Sequence, residues 1–105
     1  MAVINVSDAD FEEKVLKSPV PVVVDASTSW CPPCKMFKPV FERASEERSG
    51  IVFASFDITA PTLFAGNYGI ESVPSLLVFK NGECVKRTVG YLDRGQLDEF
   101  LSDIR

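Results

Sequence analysis

Apolar residues along this chain alternate between two periods, and the alternation predicts an α/β fold: a central mixed sheet of five strands flanked by four helices. Three observations carry the prediction. Val20-Pro21-Val22-Val23-Val24 is nearly all β-branched, which suits a strand covered by helices on both faces. Segments of helical period separate the early strands, and such crossovers produce parallel pairing. Asn81-Gly82 sits between two strand-like runs, a strong hairpin signal that adds antiparallel strands. The length of 105 residues, 46% of them hydrophobic and 25% charged, fits one domain over residues 1–105 with a real core.

In order, Val3 to Val6 reads as a short strand. Ser7, with Asp10 three residues on, forms a capping pattern for a helix running to about Lys17, with Phe11, Val15 and Leu16 on its inner face. Ser18-Pro19 ends that helix, and the strand Val20 to Asp25 follows. Met36, Phe37, Val40, Phe41 and Ala44 recur at helical spacing and predict a helix from the cysteine pair to about Arg48. Pro39 interrupts it, because its missing N–H leaves the Lys35 carbonyl without a partner and predicts a kink. After Gly50, Ile51 to Asp57 is a third strand. Pro61 to about Tyr68 is a short helix closed by Gly69. Ser75 to Lys80 and Glu83 to Val89 form the hairpin, and Gly90 breaks the second strand. Asp93 caps a last helix with Leu97, Phe100, Leu101 and Ile104 on one face.

Composition excludes several classes. A net charge of −4 with no Lys/Arg cluster argues against a nucleic-acid surface. No apolar run approaches a membrane span. Met1 to Asn5 lacks the basic-then-apolar pattern of a signal peptide, which points to the cytoplasm. In that compartment a disulfide framework is not expected, and three cysteines fit one poorly.

Chemistry concentrates in Trp30-Cys31-Pro32-Pro33-Cys34-Lys35, where a strand turns into a helix. Spacing of i, i+3 puts both sulfurs on one side of the helix. Free N–H groups and the positive helix end favour a thiolate at the first cysteine. A thiolate with a second thiol one turn away is equipped for thiol–disulfide exchange. Zinc is excluded within one chain, since a structural site needs four Cys or His ligands and there are three cysteines and no histidine. A metal or cluster shared between two chains stays open. On residue type alone, Asp25 is either a strand-end residue or a catalytic acid, and Pro74 is either cis or trans. Cys84 reads as an ordinary half-buried thiol.

Val22-Val23-Val24-Asp25, the Trp30-to-Met36 stretch, Val73-Pro74-Ser75-Leu76-Leu77-Val78-Phe79-Lys80-Asn81-Gly82 and Val89-Gly90 together resemble the thioredoxin family, in the same order and over essentially the whole chain. The resemblance implies the thioredoxin fold and a monomeric reductant of disulfide-containing client proteins, recycled by a thioredoxin reductase, with no cofactor or metal of its own. It implies that Cys31 attacks, Cys34 resolves, Asp25 is a buried acid and Pro74 is held in cis. A docking patch of Trp30, Pro33, Val73, Pro74, Gly90 and Tyr91 is expected around the cysteines. Its rivals are an oxidant or isomerase on the same fold, and a dimer bridged by an iron–sulfur cluster through Cys31 and Cys34.

Three departures from the family pattern stand out. Pro32-Pro33 replaces the common Gly-Pro, so the amides available to the Cys31 sulfur are chiefly those of Cys34 and Lys35. Ala26-Ser27-Thr28-Ser29 is a smaller and more polar loop than the aromatic-containing one usual in the family. Ser55 stands where the family often has a lysine near the buried acid. Pro32, Lys35 and Ser55 are therefore expected to tune the redox potential, and without that lysine the Asp25 pKa is expected to lie well above the ordinary value.

Overall fold

A computed structural model describes residues 2–105; Met1, the first residue of the stretch read for a signal peptide, lies outside them. The elements are β1 (Val3–Val6), α1 (Glu12–Leu16), β2 (Val22–Ser27), α2 (Pro32–Glu47), β3 (Val52–Asp57), α3 (Leu63–Asn67), β4 (Ser75–Lys80), β5 (Glu83–Val89) and α4 (Arg94–Phe100). The sheet order is β1-β3-β2-β4-β5. β1, β3 and β2 run parallel, and β4 and β5 add antiparallel pairs. This is the expected five-stranded mixed sheet with four helical segments. No helix among the described residues is long and apolar enough to cross a membrane.

β2 lies at the centre of the sheet, and its side chains feed two cores. Val22 and Val24 pack with Phe11, Phe56, Phe64 and Phe79 under α1 and α3. Val23 packs on the other face with Phe37, Phe41, Phe53 and Leu97 under α2 and α4. All three valines are fully buried, as a strand covered on both faces requires. The strand starts two residues later than the apolar run and continues two residues past Asp25. Pairing with β3 extends it, since Ala26 and Ser27 lie opposite Phe56 and Asp57. Asp25 is thus inside the strand and not at its end.

Two other expectations change. The first helix is a single widened turn, in which the Lys17 N–H bonds to the Glu12 carbonyl at 2.9 Å. Half of the capping pattern forms: the Ser7 N–H donates to Asp10 Oδ1 at 2.7 Å. That bond stabilises the turn before the helix. Phe11 and Val15 are nevertheless buried as expected, with Leu16 packed beside them. On α2, Phe37, Phe41 and Ala44 are buried and Val40 packs beside them, but Met36 is 61% exposed. The stripe is set by positions four and seven beyond Phe37, and Met36 lies about 100° off it.

The remaining boundaries follow local chemistry. α2 runs through Pro39 and ends before Gly50, which has φ +83°. Asn81 and Gly82 both have positive φ, the signature of the tight hairpin turn that matches strand twist. Asp93 and Gln96 form a full reciprocal capping box on α4. Arg48, just past α2, donates to Asp98 and to the Leu101 carbonyl, tying α2 to α4.

Candidate active site

The end of β2 and the start of α2 build the site. Cys31 is the N-cap of α2, in extended backbone. An N-cap usually offers a side-chain oxygen to the orphan amides of the first turn. Here sulfur takes that place: Cys31 Sγ accepts the Cys34 N–H at 3.2 Å. Pro32 and Pro33 fill the first two helical positions, where a missing N–H costs nothing. The second amide expected at the sulfur goes elsewhere. The Lys35 N–H donates to the Cys31 carbonyl at 3.1 Å, closing the first backbone turn of the helix.

Cys31 also meets the segment before β4. Its thiol lies 3.7 Å from the Val73 carbonyl. The Val73–Pro74 peptide bond is cis. Pro74 is buried, and its carbonyl accepts the Gly90 N–H at 2.8 Å. Tyr91 packs edge-on against Phe37 of α2, with ring centroids 6.3 Å apart. Val73, Pro74, Gly90 and Tyr91 therefore meet the helix beside Cys31. Trp30 is 68% exposed next to it, and Pro33 and Met36 are exposed on the first turns of α2. Met36 is thus an exposed apolar residue one turn into α2, an exposure the helical pattern did not mark.

The two thiols differ in surroundings. Both cysteines are only 4% exposed, and both are free. Burial pushes the Cys34 thiol up to about 12. The Cys31 side chain's hydrogen bond, then the charges of Cys31 and Asp25, push the same way, while the Thr28 backbone partly offsets them. Asp25 lies behind the pair, opposite Ser55 on β3 and Leu76 on β4. It is 4% exposed, and its Oδ1 has no hydrogen-bond partner among the described residues. Burial alone raises its carboxyl from 3.8 to about 7. That is the direction expected when Ser55 replaces a nearby cation.

A polar cleft of about 380 Å³ opens beside these groups. Asp25, Thr28, Cys34, Lys38 and Ser55 are among its walls. The sequence offered one signal for it, the run of small side chains from Ala26 to Ser29. Thr28 and Lys38 were not singled out as site residues. Lys35 is exposed on the cleft wall, and Cys84 is half-buried at the far end of the hairpin, opposite Phe79.

Comparison with known proteins agrees with this geometry. The family model described as Thioredoxin matches residues 2–103. Among similar proteins, a probable thioredoxin-2 of Caenorhabditis elegans is 41% identical over 96 residues, covering 90% of this chain and 66% of that protein. A thioredoxin of Mycobacterium tuberculosis is 41% identical over 104 residues, covering 98% and 90%. A mitochondrial thioredoxin of Mus musculus is 40% identical over 102 residues, covering 95% and 61%. The chain thus spans just under two thirds of the nematode and mouse proteins and nine tenths of the mycobacterial one. With a family match over nearly its whole length, the cysteine spacing Cys31-x-x-Cys34 and a mixed sheet centred on β2, the chain belongs to the thioredoxin family and is a thiol–disulfide oxidoreductase of the protein-disulfide reductase kind.

Proposed function

We propose that Cys31 is the attacking cysteine of this reductase, Cys34 the resolving one, and Asp25 the acid that takes the Cys34 proton. The supporting observation is the asymmetry of the two thiols. Cys31 has a backbone N–H pointed at its sulfur at a helix N-terminus, which stabilises negative charge there. Cys34 is held protonated by burial, so it needs a base before it can act.

The Cys31 thiolate attacks one sulfur of a client disulfide. A Cys31–client bond forms, the client disulfide breaks, and the released client thiolate takes a proton from solvent. Cys34 then gives its proton to the Asp25 carboxylate and attacks Cys31 Sγ. The Cys31–Cys34 disulfide forms, the second client thiolate leaves, and two electrons have passed to the client. Part of the upward push on Cys34 comes from the Cys31 thiol. That thiol no longer exists in the mixed disulfide, so the Cys34 proton is easier to remove at the moment of resolution. Asp25, near 7, is partly ionised at neutral pH and can accept it.

Thioredoxins act on disulfide substrates and are reduced by a thioredoxin reductase. Clients dock, in this reading, on the apolar rim of Trp30, Pro33, Val73, Pro74, Gly90 and Tyr91. The Val73 backbone is the strand-pairing edge, because the Pro74 carbonyl is already taken by Gly90. Pro32 tunes the couple by withholding an amide from the first turn, Ser55 by leaving Asp25 without a cation, and Lys35 as an exposed charge beside the pair. The working form is a monomer in a reducing compartment, the cytoplasm in our reading. Relatives named as thioredoxins do not favour the oxidant, isomerase or cluster-bridged alternatives.

The test is insulin disulfide reduction with NADPH- and ferredoxin-linked reductases in turn, followed by client trapping. Native protein turns over with one of them. Cys34→Ser accumulates mixed disulfides through Cys31, and Cys31→Ser does not. Trapping by Cys31→Ser instead reverses the two roles.

A further inference from the structure

Two buried oxygens beside the cysteine pair have no hydrogen-bond partner among the described residues: Asp25 Oδ1 and Thr28 Oγ1. Both residues, with Cys34, line the 380 Å³ cleft. Buried polar atoms without partners are costly and rare in native proteins. The cleft resolves this, because it is large and polar enough to hold water. The other hydroxyls nearby are placed differently. Ser29 is exposed and engaged with Thr59, and Ser55 projects from the neighbouring strand. Thr28 alone among them has a hydroxyl oxygen that is both sealed and unpartnered, and its backbone already bears on the Cys34 sulfur.

We propose that Thr28 is a positioning residue for the resolving step: its hydroxyl holds a water in the cleft that passes the Cys34 proton to Asp25. The proposal rests on the Asp25 role given above. The Cys34 S–H bond breaks as the water takes its proton and gives another to the Asp25 carboxylate. The electron pair left on Cys34 attacks Cys31 Sγ, and the client sulfur leaves as a thiolate. The water is unchanged, and Asp25 returns its proton to bulk solvent through the cleft. The charged groups around this path are Lys35 and Lys38 on α2 and Asp57 at the end of β3, all exposed, with Glu42 lining the adjoining cavity of about 130 Å³. Burial alone sets the Asp25 shift, and comparing every variant at one ionic strength keeps the contribution of these exposed charges constant.

Rapid acid quench of single turnovers with a disulfide-bonded protein separates formation of the Cys31 mixed disulfide from its decay. Thr28→Val keeps the shape and removes the hydroxyl; it slows decay about tenfold at neutral pH, as losing one hydrogen bond to a charge-transferring group does. Formation is unaffected. Thr28→Ser keeps the hydroxyl and restores decay, with the native pH dependence and solvent deuterium effect. Native decay in Thr28→Val overturns the proposal, as does equal slowing in Thr28→Val and Thr28→Ser, which would assign the effect to the lost packing of threonine. Asp25→Asn separates the two layers. If it decays like the native protein, the Asp25 role itself falls; if it is slow while Thr28→Val is native, only the water path falls.

Discussion

Asp25 is where burial and chemistry conflict most directly. A carboxyl inside a central strand, with one oxygen unpaired, is held neutral by its surroundings up to about pH 7. Its unfolded-state value is near 3.8, so between the two values the folded state binds more protons than the unfolded one. Stability from this residue is therefore full below pH 3.8 and declines as pH rises to about 7, beyond which the loss is constant. A shift of this size corresponds to up to about 4 kcal/mol. Asp25→Asn removes the dependence. Urea unfolding should show the variant more stable than native at pH 8 by up to that amount, with the gap shrinking as pH falls and closing only below pH 3.8. A gap that does not change with pH would contradict the assignment. Ser55→Lys should lower the Asp25 pKa in an NMR titration, because Ser55 faces Asp25 across the β2–β3 pair. Cys34 follows the same physics with the opposite use: burial keeps it a thiol until its partner cysteine is engaged.

At the scale of elements, the site depends on α2 being held at both ends. Its N-terminus is capped by a sulfur, and its C-terminus is clamped to α4 through Arg48. α4 in turn is set by Asp93 and Gln96, whose reciprocal bonds measure 2.8 and 3.0 Å. Asp93→Ala should cost about 1 kcal/mol. Thermal unfolding should drop by about 5 °C, with the sheet signal intact; an unchanged midpoint would show that the cap is dispensable. The elements legible in sequence were those with one dominant signal. Three adjacent valines had to be a two-sided strand, and Asn81-Gly82 had to be a turn. The first helix was misjudged because the Ser7–Asp10 pattern suits a turn as well as a cap, and a short segment has too few residues to separate them. Met36 shares the apolar run that marks α2, but one phenylalanine stripe is enough to bury the helix, and this neighbour is left facing solvent.

The whole molecule joins a rigid sheet to a site made at its edge by three segments distant in sequence. The cysteine pair was legible because it sits where a strand turns into a helix, whereas Asp25 stood out through the family resemblance and lies inside β2 where the apolar run placed it at the end. The cleft was not, because it arises where the small side chains of Ser27, Thr28 and Ser29 meet β3 and α2, and no single segment encodes that space. Val73 was expected near the cysteines, but its carbonyl's approach to the Cys31 thiol was hidden for the same reason: a thiol-to-carbonyl contact across 42 positions leaves no mark on composition. What this assembly does is set the balance between dithiol and disulfide. The reduction potential of the Cys31–Cys34 couple, measured by equilibration with glutathione of known poise and thiol-trapping mass spectrometry, tests that most directly. For a reductase the couple must be more reducing than the glutathione pool; thioredoxin itself stands at roughly −270 mV, a value known for that protein and not obtained from this geometry. The account predicts a couple on that reducing side. A value near −120 mV, the range of strong dithiol oxidants, would contradict it.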